Sequence, residues 1–136
     1  KKYRQAIKLA DQAIAIEPLE SEFYEVKGAA QIKLDQTSAA LISLNKAVAL
    51  NQHYYSPMLR RGILQFDLNA YDLAEQDLLA SVKLAPSQIA FLTLAEIAQQ
   101  KQNCPAEKRY LRQALSTRNK NRAAINQRLT ALNSRC

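Results

Sequence analysis

The residues able to do chemistry are few, and their spacing does not bring them together. His53 is the only histidine, and no His-Glu-x-x-His run or paired Cys-x-x-Cys exists to build a metal site. No glycine-rich loop could cradle a phosphate, and no Gly-x-Ser-x-Gly elbow could present a nucleophile. Glu22 and Glu25 stand three apart, which puts both on one face of a helix, but nothing partners them as acid and base. Carboxylates at a helix start are favoured by the helix dipole, and that is the role expected of them. Neither catalysis, metal nor cofactor is expected of this stretch. The chain reads as one that binds.

What must position any binding residues is set by a repeat. Pro18, Gln52 and Pro86 stand 34 residues apart, and each closes a similar phrase: Ala-Ile-Ala-Ile-Glu-Pro18, Ala-Val-Ala-Leu-Asn-Gln52, Ser-Val-Lys-Leu-Ala-Pro86. Gly28 and Gly62 keep that interval, as do Ala6, Ala40 and Ala74, and Leu44 and Leu78. After Pro86 the interval shortens to 33, so that Ala95 answers Gly62 and Leu111 answers Leu78. One residue is lost around Ser87-Gln88, in a turn, where a change of length disturbs packing least. A fixed period of this size means stacked supersecondary units rather than a globule with one central pocket.

Each unit is helical twice over. Phe23, Tyr24, Gly28, Gln31, Ile32 and Leu34 form one stripe at helical spacing, and Ala40, Leu41, Leu44, Ala47, Val48 and Leu50 form another. The break between them, Asp35-Gln36-Thr37-Ser38, holds residues that cap helix starts through side-chain bonds. Proline ends the units because it cannot continue the helical ladder. Both glycines of the chain, Gly28 and Gly62, fall inside predicted helices, where glycine costs about 1 kcal/mol against alanine. Close approach of paired helices is the expected reason, with Ala95 serving at the equivalent place and Ala40 and Ala74 facing the crossing.

A large residue (Tyr24, Met58, Phe91), a small one four on, alanine in the second helix and a closing proline resemble the tetratricopeptide repeat (TPR). The resemblance covers nearly the whole chain. It implies an all-α fold: a right-handed solenoid of antiparallel helix pairs, expected as a single domain over 1–136. Its parts would be the second helix of one repeat (4–17), repeats at 21–52, 55–86 and 88–118, and a C-terminal capping helix at 120–134. The chain departs from the family late in the first helices, where Gln31, Gln65 and Ala98 replace the usual aromatic. Glu107 stands where Ala40 and Ala74 stand, as if the last unit were degraded.

No apolar run approaches the length that spans a membrane. With no initiator methionine and no signal peptide, and opening half-way through a repeat, the sequence reads as a piece of a longer protein. The formal net charge is +7, and it gathers at one end. From Cys104 onward Lys108, Arg109, Arg112, Arg118, Lys120, Arg122, Arg128 and Arg135 face the single acid Glu107. The expected role is a solvated cap face. Nucleic acid is disfavoured because the segment has one aromatic, Tyr110, and no reader motif.

If the last helix returns antiparallel, turning near Asn119, Cys104 and Cys136 come to the same end of the stack. A disulfide there would pin the final helix by roughly 3–4 kcal/mol on the chain-entropy account, and would imply an oxidising compartment such as the bacterial periplasm. Two free thiols in a cytoplasmic protein are the alternative.

The resemblance further implies a concave groove lined by first helices: Glu25, Ala29, Ile32, Leu59, Arg60, Ile63, Phe66, Leu92, Glu96 and Gln99. Its occupant would be a protein or extended peptide, or the parent protein's own catalytic domain. The clamp with which some TPRs grip acidic chaperone tails needs Lys and Asn on this face; Val26 and Ala29 stand there, so that clamp is not expected. The phrases Leu59-Arg60-Arg61-Gly62, Asp77-Leu78-Leu79-Ala80-Ser81 and Leu84-Ala85-Pro86 resemble TPR tails of bacterial periplasmic zinc metallopeptidases. This implies an accessory module in envelope quality control. A stand-alone scaffold (a lipoprotein or pilus-assembly TPR) and a cytosolic regulatory TPR are the alternatives.

Overall fold

The computed structural model describes residues 1–117 and 121–136. Arg118, Asn119 and Lys120, where the turn before the last helix and two of the basic residues were expected, lie outside the described residues. The elements are all helical: α1 (Lys2–Ile16), α2 (Ser21–Lys33), α3 (Thr37–Leu50), α4 (Tyr55–Asp67), α5 (Tyr71–Leu84), α6 (Gln88–Gln100), α7 (Cys104–Leu115) and α8 (Arg122–Asn133). Contacts gather into two compact units, 1–61 and 62–136. In the first, α2 packs on α1 and α3; in the second, α6 packs on α5 and α7, and α8 on α7.

The turns inside the repeats are built alike, and not as the sequence led us to expect. Asp35, Asn69 and Gln102 all adopt positive φ, at 57°, 62° and 55°. Behind each, a backbone N–H reaches five residues back: Gln36 to Gln31 (2.9 Å), Ala70 to Gln65 (2.8 Å) and Asn103 to Ala98 (2.8 Å). This Schellman closure satisfies the carbonyls left bare at the end of each first helix. The expected side-chain cap on the helix that follows is absent from α3 and α5. Only α7 takes one in these turns, where the Asn103 side chain accepts from the Ala106 N–H. The segment 35–38 therefore works by finishing α2 rather than by starting α3.

Gly28 and Gly62 answer for close approach. A Cβ on Gly28 would lie 2.9 Å from Leu44 Cγ, and one on Gly62 would lie 2.9 Å from Leu78 Cγ. The leucine is thus the main partner at each crossing. Ala40 and Ala74, expected there, are sealed one turn earlier, Ala40 offering only its carbonyl oxygen at 3.4 Å from the Gly28 position. Ala95 and Leu111, at the equivalent positions of α6 and α7, are also fully buried. Each buried leucine contributes about 1.5–3 kcal/mol, which outweighs glycine's helix penalty of about 1 kcal/mol.

Candidate binding faces and their polar anchors

In the first unit one of the expected groove residues is held by its neighbours. Glu25 is buried. Its Oε1 accepts from the Tyr54 hydroxyl at 2.5 Å, and its Oε2 accepts from the Ser56 hydroxyl and from Arg60 Nε at 3.1 Å. The carboxylate therefore ties the middle of α2 to Tyr54 and to the first turns of α4. The Glu25 hydrogen bond, then burial, then the Glu25 charge push the Tyr54 phenol up to about 12. Arg60 keeps half of its side chain in solvent. Ala29, Ile32 and Leu59 are half-buried. A cleft of about 330 Å³ opens between α1 and α2, walled by Tyr3, Ala6, Val26, Ala29 and Lys33, with Arg60 at its rim.

In the second unit Ile63, Phe66 and Leu92 are half-buried. Phe66 is not a bare anchor, since its ring lies 5.7 Å from that of Tyr71 across the α4–α5 turn. Glu96 and Gln99 are brought together by a residue from outside the expected groove. Arg128 of α8 donates to Glu96 Oε1 (2.9 Å), to Gln99 Oε1 (3.5 Å) and to Glu107 Oε2 (3.3 Å). Glu107 is therefore no sign of a decayed repeat: it is buried and anchors the last helix. Likewise Arg128 belongs to this network and not to a solvated basic face.

The departures late in the first helices are also explained. Gln31 Oε1 accepts from the buried Ser43 hydroxyl at 2.6 Å. At the equivalent place Gln65, with its amide oriented to satisfy both ends, donates to Asp77 Oδ2 at 2.9 Å and to the Leu73 carbonyl at 3.1 Å. In the last pair the small Ala98 stands with the large Tyr110, both buried. Sequence reasoning missed Tyr54, Ser56 and Ser43, and gave Arg128 to the basic end rather than to this network. The one legible signal was Glu107, an acid where the repeat calls for alanine.

Cys104 and Cys136 lie at disulfide distance, with Cα atoms 6.3 Å apart. His53 is exposed, and its backbone N–H is bonded to Asn51 Oδ1. Among the described residues no group of three or more His, Cys, Asp or Glu side chains could hold a metal ion. Among the same residues no helix is long and apolar enough to cross a membrane.

No family model matches the chain. It is 30% identical over 87 residues to the STIP1 homolog of Dictyostelium discoideum, which is 64% of this chain and 15% of that protein. It is 36% identical over 70 residues to the mouse peptidyl-prolyl cis-trans isomerase FKBP4, 52% of this chain and again 15% of the relative. The chain thus spans a small part of the curated relatives it matches. Among solved structures, the first TPR of Spaghetti (RPAP3) bound to an HSP90 peptide superposes with a TM-score of 0.71 at 27% identity, covering 74% of this chain and 81% of that one. Pseudomonas aeruginosa pilF superposes at 0.84 with 18% identity, covering 96% and 60%. The fold is that of a tetratricopeptide-repeat domain.

Proposed function

We propose that the exposed sides of the first helices bind an extended peptide or a partner helix. The observation that carries this is that each unit keeps apolar first-helix side chains only half-buried, Ile32 and Leu59 in the first and Ile63, Phe66 and Leu92 in the second, outside the sealed helix crossings. The peptide held by the RPAP3 repeat supports the same use of this fold. Glu25 is left out of the contact set, because its oxygens are already taken. The parent's own catalytic domain remains the competing occupant.

We place the module in the bacterial envelope, as the non-catalytic tail of a periplasmic metallopeptidase or chaperone in protein quality control. Support for the compartment is the approach of Cys104 to Cys136; support for the parent is the wording of the repeats alone, and no relative named above is a metallopeptidase. Phe66→Ala should weaken capture of an unfolded, carboxymethylated protein about tenfold, as loss of an apolar anchor does. Unchanged capture with an unchanged circular dichroism spectrum would remove this face from the function. Two thiols open to alkylation in protein isolated without reductant would move it to the cytoplasm.

A further inference from the structure

We propose that the Cys104–Cys136 bridge is a redox clasp on α8. A dithiol protein opens it, α8 comes away, and Glu96, Gln99 and Glu107 are bared to an arginine-bearing helix of a partner. This rests on the interaction reading above and supplies the regulation of its second unit. Repeat phase gives the first reason. Glu96 and Gln99 of α6 stand 33 residues after Ile63 and Phe66, so they hold the same places in their helix as those two side chains do in α4. In α6 these places are already engaged by α8, whose Arg128 donates to Glu96, Gln99 and Glu107. Ile125 and Leu132, three residues before Arg128 and four after it, are buried in the same helix. The pattern of α8 thus describes what the seat accepts: a guanidinium flanked by aliphatic side chains. Two carboxylates meet one cation there, so a vacated seat attracts another cation.

The second reason is the position of the bridge. Cys104 opens α7 and Cys136 follows α8, with Cα atoms 6.3 Å apart. Cys104 walls a cleft of about 230 Å³ together with Gln99, Glu107, Leu132 and Arg135, so the sulfur and the Arg128 seat share one opening. At the first position of α7, beside the Asn103 cap, a Cys104 thiolate meets the positive end of the helix dipole and leaves readily. A thiolate of the incoming dithiol attacks the Cys136 sulfur; the S–S bond breaks and its electron pair leaves on Cys104. The second thiol then attacks the mixed disulfide and releases Cys136. The dithiol ends as a disulfide, and its two protons pass to the two cysteines. What then holds Arg128 is weakened by water, since 29% of its side chain and 42% of that of Glu96 are exposed.

The test compares the oxidised chain with the chain reduced by thioredoxin in the absence of denaturant, and with Cys104→Ser. Hydrogen exchange at the α8 amides should be at least about tenfold faster in the latter two, with α2 and α3 unchanged. A fluorescent peptide of the α8 sequence should bind them at least about tenfold tighter than it binds the oxidised chain. The same peptide carrying Arg128→Glu should not bind. Neither readout involves capture of unfolded protein, so a failure here is distinguishable from failure of the interaction reading. A bridge that thioredoxin opens only after denaturation overturns the proposal, as does α8 exchange that is equal in the two redox states. Faster exchange without peptide binding, or peptide binding indifferent to Arg128→Glu, overturns it too.

Discussion

The α2–α3 pair and the α6–α7 pair solve one packing problem in opposite ways. At the same two positions the first holds Gln31 and Ser43, joined by a hydrogen bond, while the second holds Ala98 and Tyr110. The first pair is built around a glycine at the crossing, the second around Ala95. The comparison teaches that the repeat fixes the volume and the crossing, not the chemistry that fills them. A polar pair is acceptable inside because its partners bond to each other, and a small–large pair because one side chain's volume can compensate for the other's. The second pair differs again in carrying Glu107, through which α8 is fastened.

Three experiments would break or sharpen this contrast. The largest effect is expected from Arg128→Glu, which leaves Glu107 buried without its partner and sets a new carboxylate against Glu96. Breaking a buried ion pair costs about 3–5 kcal/mol; with Arg128 part-exposed, about 2–3 kcal/mol is expected. Helical signal equal to the loss of α8 should disappear first in reduced protein, where no disulfide could hold that helix. An unaltered thermal melt would show that the network contributes little.

Next comes an exchange of solutions between the pairs. Gln31→Ala should cost about 1–3 kcal/mol by stranding the Ser43 hydroxyl, and Ser43→Tyr alone about 1–3 kcal/mol by overpacking. The double variant, which imports the arrangement of the last pair, should lose less than the sum, a coupling readable in a urea double-mutant cycle. Strict additivity would mean that the two sites do not share a cavity.

The smallest effect concerns pH and the first unit only. The Tyr54 phenol is raised from 10.0 to about 12 by its bond to Glu25, so the folded state keeps a proton that the unfolded chain gives up. The stabilisation is therefore complete below pH 10 and is lost as pH climbs toward 12. Absorbance titration should show one of the six tyrosines ionising late, and Tyr54→Phe should delete that late component. Six tyrosines titrating together would remove the Glu25 cage from solution.

Much of the fold was legible in advance because periodicity reports a physical constraint along the chain. Glycine inside a helix is tolerated only against a close neighbour, and the 34-residue interval placed Gly28 and Gly62 at matching crossings. The neighbour itself was misjudged: alanine was expected, whereas leucine four residues later makes the contact. The turn chemistry was misjudged too, since Asp, Thr and Ser suggested side-chain caps where the backbone closes on itself through a left-handed residue. Asp35, Asn69 and Gln102 share that conformation without sharing a residue type, so composition could not announce it.

The candidate site was legible in outline only. Equal spacing told which residues fall on the first-helix faces, because helical phase is a property of the chain alone. It could not tell that Glu25 is already consumed by Tyr54, Ser56 and Arg60, or that Arg128 reaches back to Glu96 and Glu107. Those partners lie 21 to 35 residues apart, and their meeting depends on how one helix packs against the next. Local order determined the helices and their crossings; only the tertiary structure decided which charged side chains remain free to bind.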